Sequence, residues 1–294
     1  MLELECSRLH NSAVEFRVLG PIEVWQGDQP VKLGGPKQRS LLRALLLRTN
    51  EVVSSDRLIE ELWGERAPAS ATNLIQGYVA ELRRTLGAEA ILTRASGYVL
   101  PVVEEELDAL QFARLTRDAL ALPPDGAAQA LWTALALWRG PALSDVPLQG
   151  SARHEAERLN ELRLEALADR IDADLACGRH HELVAELEAL VAEHPLRERL
   201  RAQLMLALYR SGRQAEALLV YRKTRRALAG ELGLEPSREL QTLEKAILTQ
   251  DPALAAPAAP TKPSATRLPI PPTPLTAARR NWRRQSRCSA NNGY

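Results

Sequence analysis

The stretch NLIQGYVAELRRTLG, residues 73–87, has the apolar spacing of an amphipathic helix that begins after Ser70 and ends at Gly87. Its apolar side chains fall in one narrow arc, which predicts the buried face: Ile75, Val79, Leu82 and Leu86. A merely solvated opposite face would usually mix Glu and Lys at i,i+4 spacing, and this face does not. The stretch is therefore either a helix that enters a DNA groove or an ordinary core helix.

The opposite face supplies the candidates for contact with DNA bases: Gln76, Gly77, Ala80, Glu81 and Arg84. Gly77 and Ala80 are small enough to let the backbone approach a groove floor, and Gln and Arg side chains can read base edges. Glycine inside a helix costs about 1 kcal/mol relative to alanine, which favours a benefit elsewhere. The helix alone still favours an ordinary structural role, so the flanking segments decide the interpretation.

Short β-rich runs precede this helix. Residues 16–19, 22–25 and 31–33 predict a small antiparallel sheet, because turn-forming residues separate them. Two short helices are expected to follow, the first from Pro36 to a left-handed Asn50 and the second from Ser54 or Ser55 to Gly64. Pro suits a first helical turn, Ser an N-cap, and Gly or Asn a C-terminal end.

A hairpin is predicted directly after the opening helix. Residues 91–93 and 97–100 are two β-rich runs, and Gly97 is expected to take the positive φ of a tight turn. Two short helices, a longer third helix and a hairpin together describe a winged helix. The side chains expected to contact DNA phosphate or to lie in the wing are Thr72, Asn73, Arg83 and Arg94, with weaker support for Lys37.

Residues 107–248 are predicted to be helical almost throughout. The expected helices are 108–121, 125–138, 151–177, 180–193, 197–211, 214–230 and 237–248. Gly178 and Gly212 are separated by 34 residues, which is the tetratricopeptide period, although Pro195 and Pro236 do not keep it. The fold class is therefore mainly α, with an N-terminal winged helix-turn-helix that includes a small sheet and wing hairpin, followed by an all-α tetratricopeptide-like domain.

Four divisions of the chain follow from these patterns. We expect an N-terminal extension at 1–13, the winged-helix DNA-binding domain at 14–101, the helical domain at 104–250, and a Pro/Ala-rich linker with a basic, disordered tail at 251–294. The charges of the winged helix nearly balance, so DNA binding must depend on where individual charges lie.

Several classes of protein are not favoured. No apolar run approaches the roughly 18 residues of a membrane span, and the N-terminus lacks the pattern of an export signal, so we expect a cytoplasmic protein without membrane contact. The cysteines Cys6, Cys177 and Cys288 form no C-x-x-C pair. Neither the adjacent His180 and His181 nor GGPKQRS (34–40) fits a metal or phosphate-loop pattern. We expect no catalytic residues, no metal and no cofactor.

Four segments carry a resemblance to a known family: FRVLGPIEVW (16–25), GGPKQRSLLRALLLR (34–48), SSDRLIEELWGERAPASATNLIQGYVAELRRTLG (54–87) and ILTRASGYVL (91–100). In order and spacing they resemble the OmpR-like DNA-binding domain of SARP-type antibiotic regulatory proteins. The next 150 residues or so resemble the bacterial transcriptional activator domain that accompanies it. The resemblance covers approximately residues 16–250.

The resemblance implies a pathway-specific transcription activator. It implies a homodimer on promoter direct repeats in double-stranded DNA, near the genes of an antibiotic or other secondary-metabolite cluster. The third helix would enter the major groove and the wing would touch the backbone or an adjacent minor groove. It also implies a loop that faces RNA polymerase, and here this loop contains Gly64, Glu65, Arg66, Ala67 and Pro68.

One position departs from the family pattern. Relatives often have arginine where this chain has Glu81, within a motif like V-S-R-L-R-R. A glutamate there could accept a hydrogen bond from cytosine or pair with Arg84. The preferred base sequence therefore cannot be transferred from relatives.

Two other functions stay open from the sequence. One is a protein-interaction scaffold, in which the helical repeats function and the winged helix binds protein. The other is the truncated regulatory front of a signalling ATPase, since longer chains of this kind continue from a proline-rich linker into a nucleotide-binding domain. The scaffold predicts that no promoter fragment is retained at physiological salt, and the ATPase front predicts no activity of its own.

Overall fold

The computed structural model describes residues 14–145 and 151–256. The extension at 1–13 and the linker and tail beyond 256 lie outside these described residues. The described N-terminal part begins with an antiparallel sheet in the order β1-β2-β3. Its strands are β1 (Val14–Arg17), β2 (Glu23–Gln26) and β3 (Gln29–Pro30).

The third strand differs from the prediction. Residues 31–33 do not form a strand, because Gly27 has a φ of 58° and the turn is tight enough for Gln26 to pair with Gln29. The last hydrogen bond of this edge runs from the Val31 N–H to the Val24 carbonyl at 2.8 Å. The chain then leaves the sheet to begin the first helix.

Three helices and a second three-stranded sheet complete the winged helix. They are α1 (Pro36–Leu46), β4 (Val53–Ser54), α2 (Ser55–Trp63), α3 (Ala71–Leu86), β5 (Leu92–Arg94) and β6 (Gly97–Val99). The order of the second sheet is β4-β6-β5. The Ser54 side chain caps α2 by accepting a hydrogen bond from the Arg57 N–H. Asn50 has the expected left-handed φ of 66°, but α1 ends earlier than predicted, at Leu46 with Leu47 as its C-cap, so Asn50 lies in the turn that follows.

Gly97 has a different role from the predicted one. It does not have a positive φ. A Cβ atom at Gly97 would instead lie 1.9 Å from the Val53 carbonyl oxygen and 2.8 Å from the Ser54 Cα. Glycine is needed here because β4 passes close to β6, and β4 is a strand that sequence reasoning missed.

All seven predicted helices of the following region are present. They are α4 (Asp108–Ala119), α5 (Pro124–Leu135), α6 (Ser151–Ala176), α7 (His180–Glu193), α8 (Glu198–Arg210), α9 (Gln214–Leu232) and α10 (Arg238–Leu248). The fold class predicted from the sequence is confirmed.

The turns at Gly178 and Gly212 are structural repeats of each other. Their φ angles are 78° and 77°. Each is followed by an arginine whose N–H donates to a carbonyl five residues earlier, Arg179 to Asp174 at 3.0 Å and Arg213 to Leu208 at 2.9 Å. The 34-residue spacing therefore marks equivalent helix-to-helix turns, α6 to α7 and α8 to α9.

Apolar packing crosses from the winged helix into the helical region. One buried cluster extends from Phe16 through the winged helix to Phe112 on α4 and Ala166 on α6. A second cluster begins at Ala168 and continues to Ile247 on α10. The long helix α6 thus contributes to both cores, and the first core joins the winged helix to α4, α5 and the first half of α6.

Buried polar contacts reinforce this junction. The Asp108 carboxylate accepts hydrogen bonds from the N–H groups of Val18 at 2.8 Å and Leu19 at 3.0 Å, and from the Arg139 guanidinium at 3.1 Å. Burial raises the pKa of Asp108, while these three donors lower it. Asp145 similarly accepts from the Ile22 N–H at 2.8 Å. The β1-β2 turn is therefore held by carboxylates of the helical region.

Candidate nucleic-acid interface

Helix α3 has the two faces that its sequence predicts. Ile75, Val79, Leu82 and Leu86 are buried in the first core. Ser70 stands at the N-cap position without a side-chain hydrogen bond, and Gly87 ends the helix with a φ of 111°. The amphipathic reading of the opening stretch is confirmed, and the core side fixes which residues face outward.

The structure brings the base-facing candidates together on one exposed surface, with two of the phosphate candidates beside them. These residues are Thr72, Asn73, Gln76, Gly77, Ala80, Glu81 and Arg84, and all are exposed. A Cβ atom at Gly77 would meet nothing within 4 Å. Packing among the described residues therefore does not require glycine at this helical position.

Glu81 and Arg84 are partners on this surface. The Arg84 guanidinium donates to a Glu81 carboxylate oxygen at 2.8 Å, with the two side chains 71% and 47% exposed. Of the roles that the sequence left open for Glu81, pairing with Arg84 is the arrangement in the free chain. An exposed pair of this kind contributes only about 0.3–0.5 kcal/mol, so a DNA ligand could separate it easily.

Arg83 is directed to the wing rather than outward. Its Nε donates to the Ile91 carbonyl at 2.8 Å and its Nη2 donates to the Thr93 hydroxyl at 2.8 Å. The side chain is half-buried between α3 and β5. Sequence reasoning placed Arg83 among the phosphate candidates and missed this link, because nothing local in the sequence shows that residues 91–93 return to it.

The wing carries an exposed arginine. Arg94 lies at the end of β5 opposite Gly97 in the hairpin, and its guanidinium contacts the carbonyl of its neighbour Thr93 at 3.4 Å. This long contact holds the side chain only weakly. Arg94 is therefore the residue next to Thr93, whose hydroxyl accepts a hydrogen bond from Arg83.

Lys37 lies on α1, apart from the exposed face of α3. Its ammonium donates to the Leu62 carbonyl and lies 5.2 Å from the centre of the Trp63 ring. Lys37 and Trp63 line a groove of about 820 Å³, which the Gly64–Arg66 turn and Asp145 also line but no residue of α3 does. The structure does not bring Lys37 together with the other phosphate candidates.

The candidate polymerase-facing loop is a continuous exposed segment. Gly64, Glu65, Arg66, Ala67 and Pro68 are all exposed, and Gly64 takes a φ of 58° to end α2. Near this loop the helical region contacts the winged helix, because the Ser151 hydroxyl donates to the Glu61 carboxylate on α2 and Arg39 on α1 pairs with Asp145. Asp145 and the Gly64–Arg66 turn line the same groove.

Other chemistry is sparse in the part of the chain that the structure describes. The His180 and His181 rings lie 4.5 Å apart, but within residues 14–145 and 151–256 no group of three His, Cys, Asp or Glu side chains is arranged to hold a metal ion. None of the described helices is both long and apolar enough to cross a membrane.

The fold is that of a class of regulatory protein: a winged helix whose third helix exposes small and polar side chains, joined through a shared core to tetratricopeptide-like helices. Residues 28–100 match the family described as transcriptional regulatory protein, C terminal, and residues 107–248 match the bacterial transcriptional activator domain. Regulatory protein DnrI of Streptomyces peucetius is 38% identical over 256 residues, which cover 82% of this chain and 94% of DnrI. The chain belongs to the SARP-type family of antibiotic regulatory proteins.

A longer relative and a solved structure match most of this chain. Regulatory protein AfsR of Streptomyces griseus is 44% identical over 250 residues, covering 84% of this chain, and the chain spans only 26% of the length of AfsR. The solved structure of Mycobacterium tuberculosis EmbR, in complex with a low-affinity phosphopeptide, superposes with a TM-score of 0.79 at 35% identity. It covers 82% of this chain and 66% of the EmbR chain.

Proposed function

We propose that this chain is a sequence-specific DNA-binding transcription activator. It binds direct repeats near a promoter as a homodimer and recruits RNA polymerase to genes of a secondary-metabolite cluster. The observation that carries the proposal is the exposed face of α3, where Gly77 and Ala80 leave the helix backbone open between Gln76 and Arg84. The family supports the same function, since its members are named as regulators of transcription.

The arrangement separates two kinds of contact. Gly77, Ala80 and Arg84 lie along the centre of the exposed face, with Gln76 on one side and Glu81 on the other, where a helix in the major groove presents side chains to base edges. Thr72 stands at the start of α3 and Arg94 in the wing, positions from which a winged helix reaches phosphates on either side of the groove. Specificity and general affinity thus come from different residues.

The groove behind the Gly64–Arg66 turn supports a second contact surface. Basic side chains from α1, the Glu61 carboxylate of α2 and the Trp63 ring line it. The helical region contacts the winged helix beside this groove, through Ser151 with Glu61 and Asp145 with Arg39. We assign this surface to RNA polymerase.

Selection of bound sequences from a random pool of duplex DNA tests the proposal with the full chain. The expected result is a site made of two similar half-sites in the same orientation, spaced by about one helical turn or 10 base pairs. A pool that remains random after repeated rounds at physiological salt would contradict DNA binding and favour the interaction scaffold. Inverted half-sites would contradict direct-repeat binding.

A further inference from the structure

The side chain of Arg83 connects helix α3 to the wing. In the sheet order β4-β6-β5, strand β5 pairs with β6 and is the outermost strand among the described residues. Arg83, in the last turn of α3, donates to the Ile91 carbonyl just before β5 and to the Thr93 hydroxyl within β5, both at 2.8 Å. One arginine thus links the end of the helix to the outer strand of the wing.

The Arg83 guanidinium contacts the wing through two hydrogen bonds, one from Nε and one from Nη2. The Nε and Nη2 atoms of a guanidinium lie in one plane with fixed spacing, so two bonds fix both the position and the orientation of their acceptors. Ile91 is fully buried, whereas Thr93 is exposed, and the link therefore runs from the core to the outer part of the wing. A lysine ammonium is a point charge and cannot reproduce this geometry.

The connection that Arg83 spans is short. Helix α3 ends at Gly87, and the Ala90 N–H donates back to the Gly87 carbonyl at 3.1 Å before β5 begins. The backbone carbonyl of Arg83 also accepts a hydrogen bond from the Gly87 N–H at 2.9 Å, at the end of the helix. The angle between the exposed face of α3 and the wing is set by these contacts together.

We propose that Arg83 is a positioning residue for DNA binding, which holds the wing so that Arg94 and the exposed face of α3 reach one DNA site together. The inference rests on the proposed function. The next residue, Arg84, differs from Arg83: its side chain is 71% exposed and donates a hydrogen bond to Glu81 on the same helix. Arg83 acts through Thr93 and Arg94, and Arg84 acts by direct contact.

Two substitutions separate positioning from charge. Arg83→Lys keeps the charge and loses the two-point contact, and Thr93→Val removes one acceptor and leaves every charge in place. We expect Arg83→Lys to weaken binding to the selected DNA about tenfold and Thr93→Val about threefold, in proportion to the hydrogen bonds lost. Arg84→Lys and Thr133→Val are the matched controls. Thr133 is an exposed residue of α5, outside the winged helix, and its variant should bind DNA with the affinity of the wild type.

A double-mutant cycle adds a readout that a purely structural role would not move. Arg94→Ala should reduce the slope of log affinity against log salt by about one in the wild type, and clearly less in the Arg83→Lys background, because the wing is already misplaced. Wild-type affinity in both Arg83→Lys and Thr93→Val, with additive effects of Arg94→Ala, would overturn the inference in favour of a phosphate contact.

Hydrogen exchange of the free protein makes the two possible failures distinguishable. We expect faster amide exchange at residues 92–94 in Arg83→Lys and Thr93→Val, with α3 unchanged. Unchanged exchange in both variants would overturn the positioning role alone. A wild-type chain that selects no DNA would overturn the proposed function and with it the use of the held wing for DNA.

Discussion

The carboxylate of Asp108 accepts a hydrogen bond from the backbone N–H of Val18, which lies 90 residues earlier in the chain, at 2.8 Å. Asp108 is only 6% exposed, and Leu19 and Arg139 complete its set of donors. A buried carboxylate with these partners joins the helical region to the sheet at the start of the winged helix. The junction between the two is therefore a specific structure rather than a flexible connection.

Asp108→Ala should destabilise the fold. The substitution leaves the buried N–H groups of Val18 and Leu19 without their acceptor, and each unsatisfied buried group costs about 1–3 kcal/mol. Arg139 loses one of its partners but keeps Glu23 and the Pro21 carbonyl. We expect a loss of approximately 3 kcal/mol in the free energy of unfolding, measured by urea denaturation. Asp118→Ala, on the exposed side of the same helix, is the control and should change stability little. Equal stability of the two variants would show that the hydrogen bonds of Asp108 do not stabilise the junction.

Gly77→Ala should separate stability from binding. A Cβ at this position meets open space, so alanine should raise the free energy of unfolding by about 1 kcal/mol through helix propensity. The same methyl group should weaken DNA binding if the α3 backbone approaches the groove floor. Gly230→Ala on α9 is the matched control, because its Cβ also meets open space. It should stabilise the fold and leave affinity unchanged.

Glu81→Gln should change base preference. The substitution removes the negative charge that pairs with Arg84 at 2.8 Å and replaces a carboxylate, which can only accept, by an amide, which can also donate. We expect discrimination to change by about 1–3 kcal/mol at one base pair of each half-site. Competition binding with single-base variants of the selected site measures this effect. A uniform change at every position would show that Glu81 acts only through charge.

Much of the fold was predictable because the positions of apolar residues and of helix-ending residues indicate most of its helices. Helical periodicity and breaks at Gly, Pro or Asn identified the α-helices of the described chain but not short 3-10 turns such as Glu104–Glu106 and Pro252–Leu254. The i,i+3 spacing made the Glu81 and Arg84 pair foreseeable. The two-residue strand β4 was missed, since two residues cannot show an alternating pattern. For the same reason Gly97 was assigned to a turn, when the missing strand is what requires it.

Contacts between distant segments were not predictable in this way. Nothing near Asp108 indicates that its partners are Val18 and Leu19, and nothing near Arg83 indicates that its acceptors lie in the wing. A local pattern reports which face of an element is buried, and it does not report what an element is packed against. The roles of these side chains follow from tertiary structure alone.

Acidification should destabilise the chain through His180. Burial lowers the pKa of His180, and the neighbouring charges of His181 and Arg210 lower it further. The unfolded chain therefore binds a proton at a higher pH than the folded chain does, and stability present above the ordinary value of 6.5 is lost as pH falls through the folded pKa. Unfolding free energies of His180→Asn and wild type between pH 8 and about 5 test this. Parallel curves would contradict it.

The central claim is that the exposed face of α3 reads DNA bases while the wing contributes general affinity. Binding of Gln76→Ala and Arg94→Ala to the selected site and to single-base variants, across a salt series, tests it most directly. We expect Gln76→Ala to lose discrimination at one base pair with an unchanged salt slope, and Arg94→Ala to weaken binding to all sequences alike and lower the slope by about one. Identical behaviour of the two variants, in slope and in sequence preference, would contradict the claim.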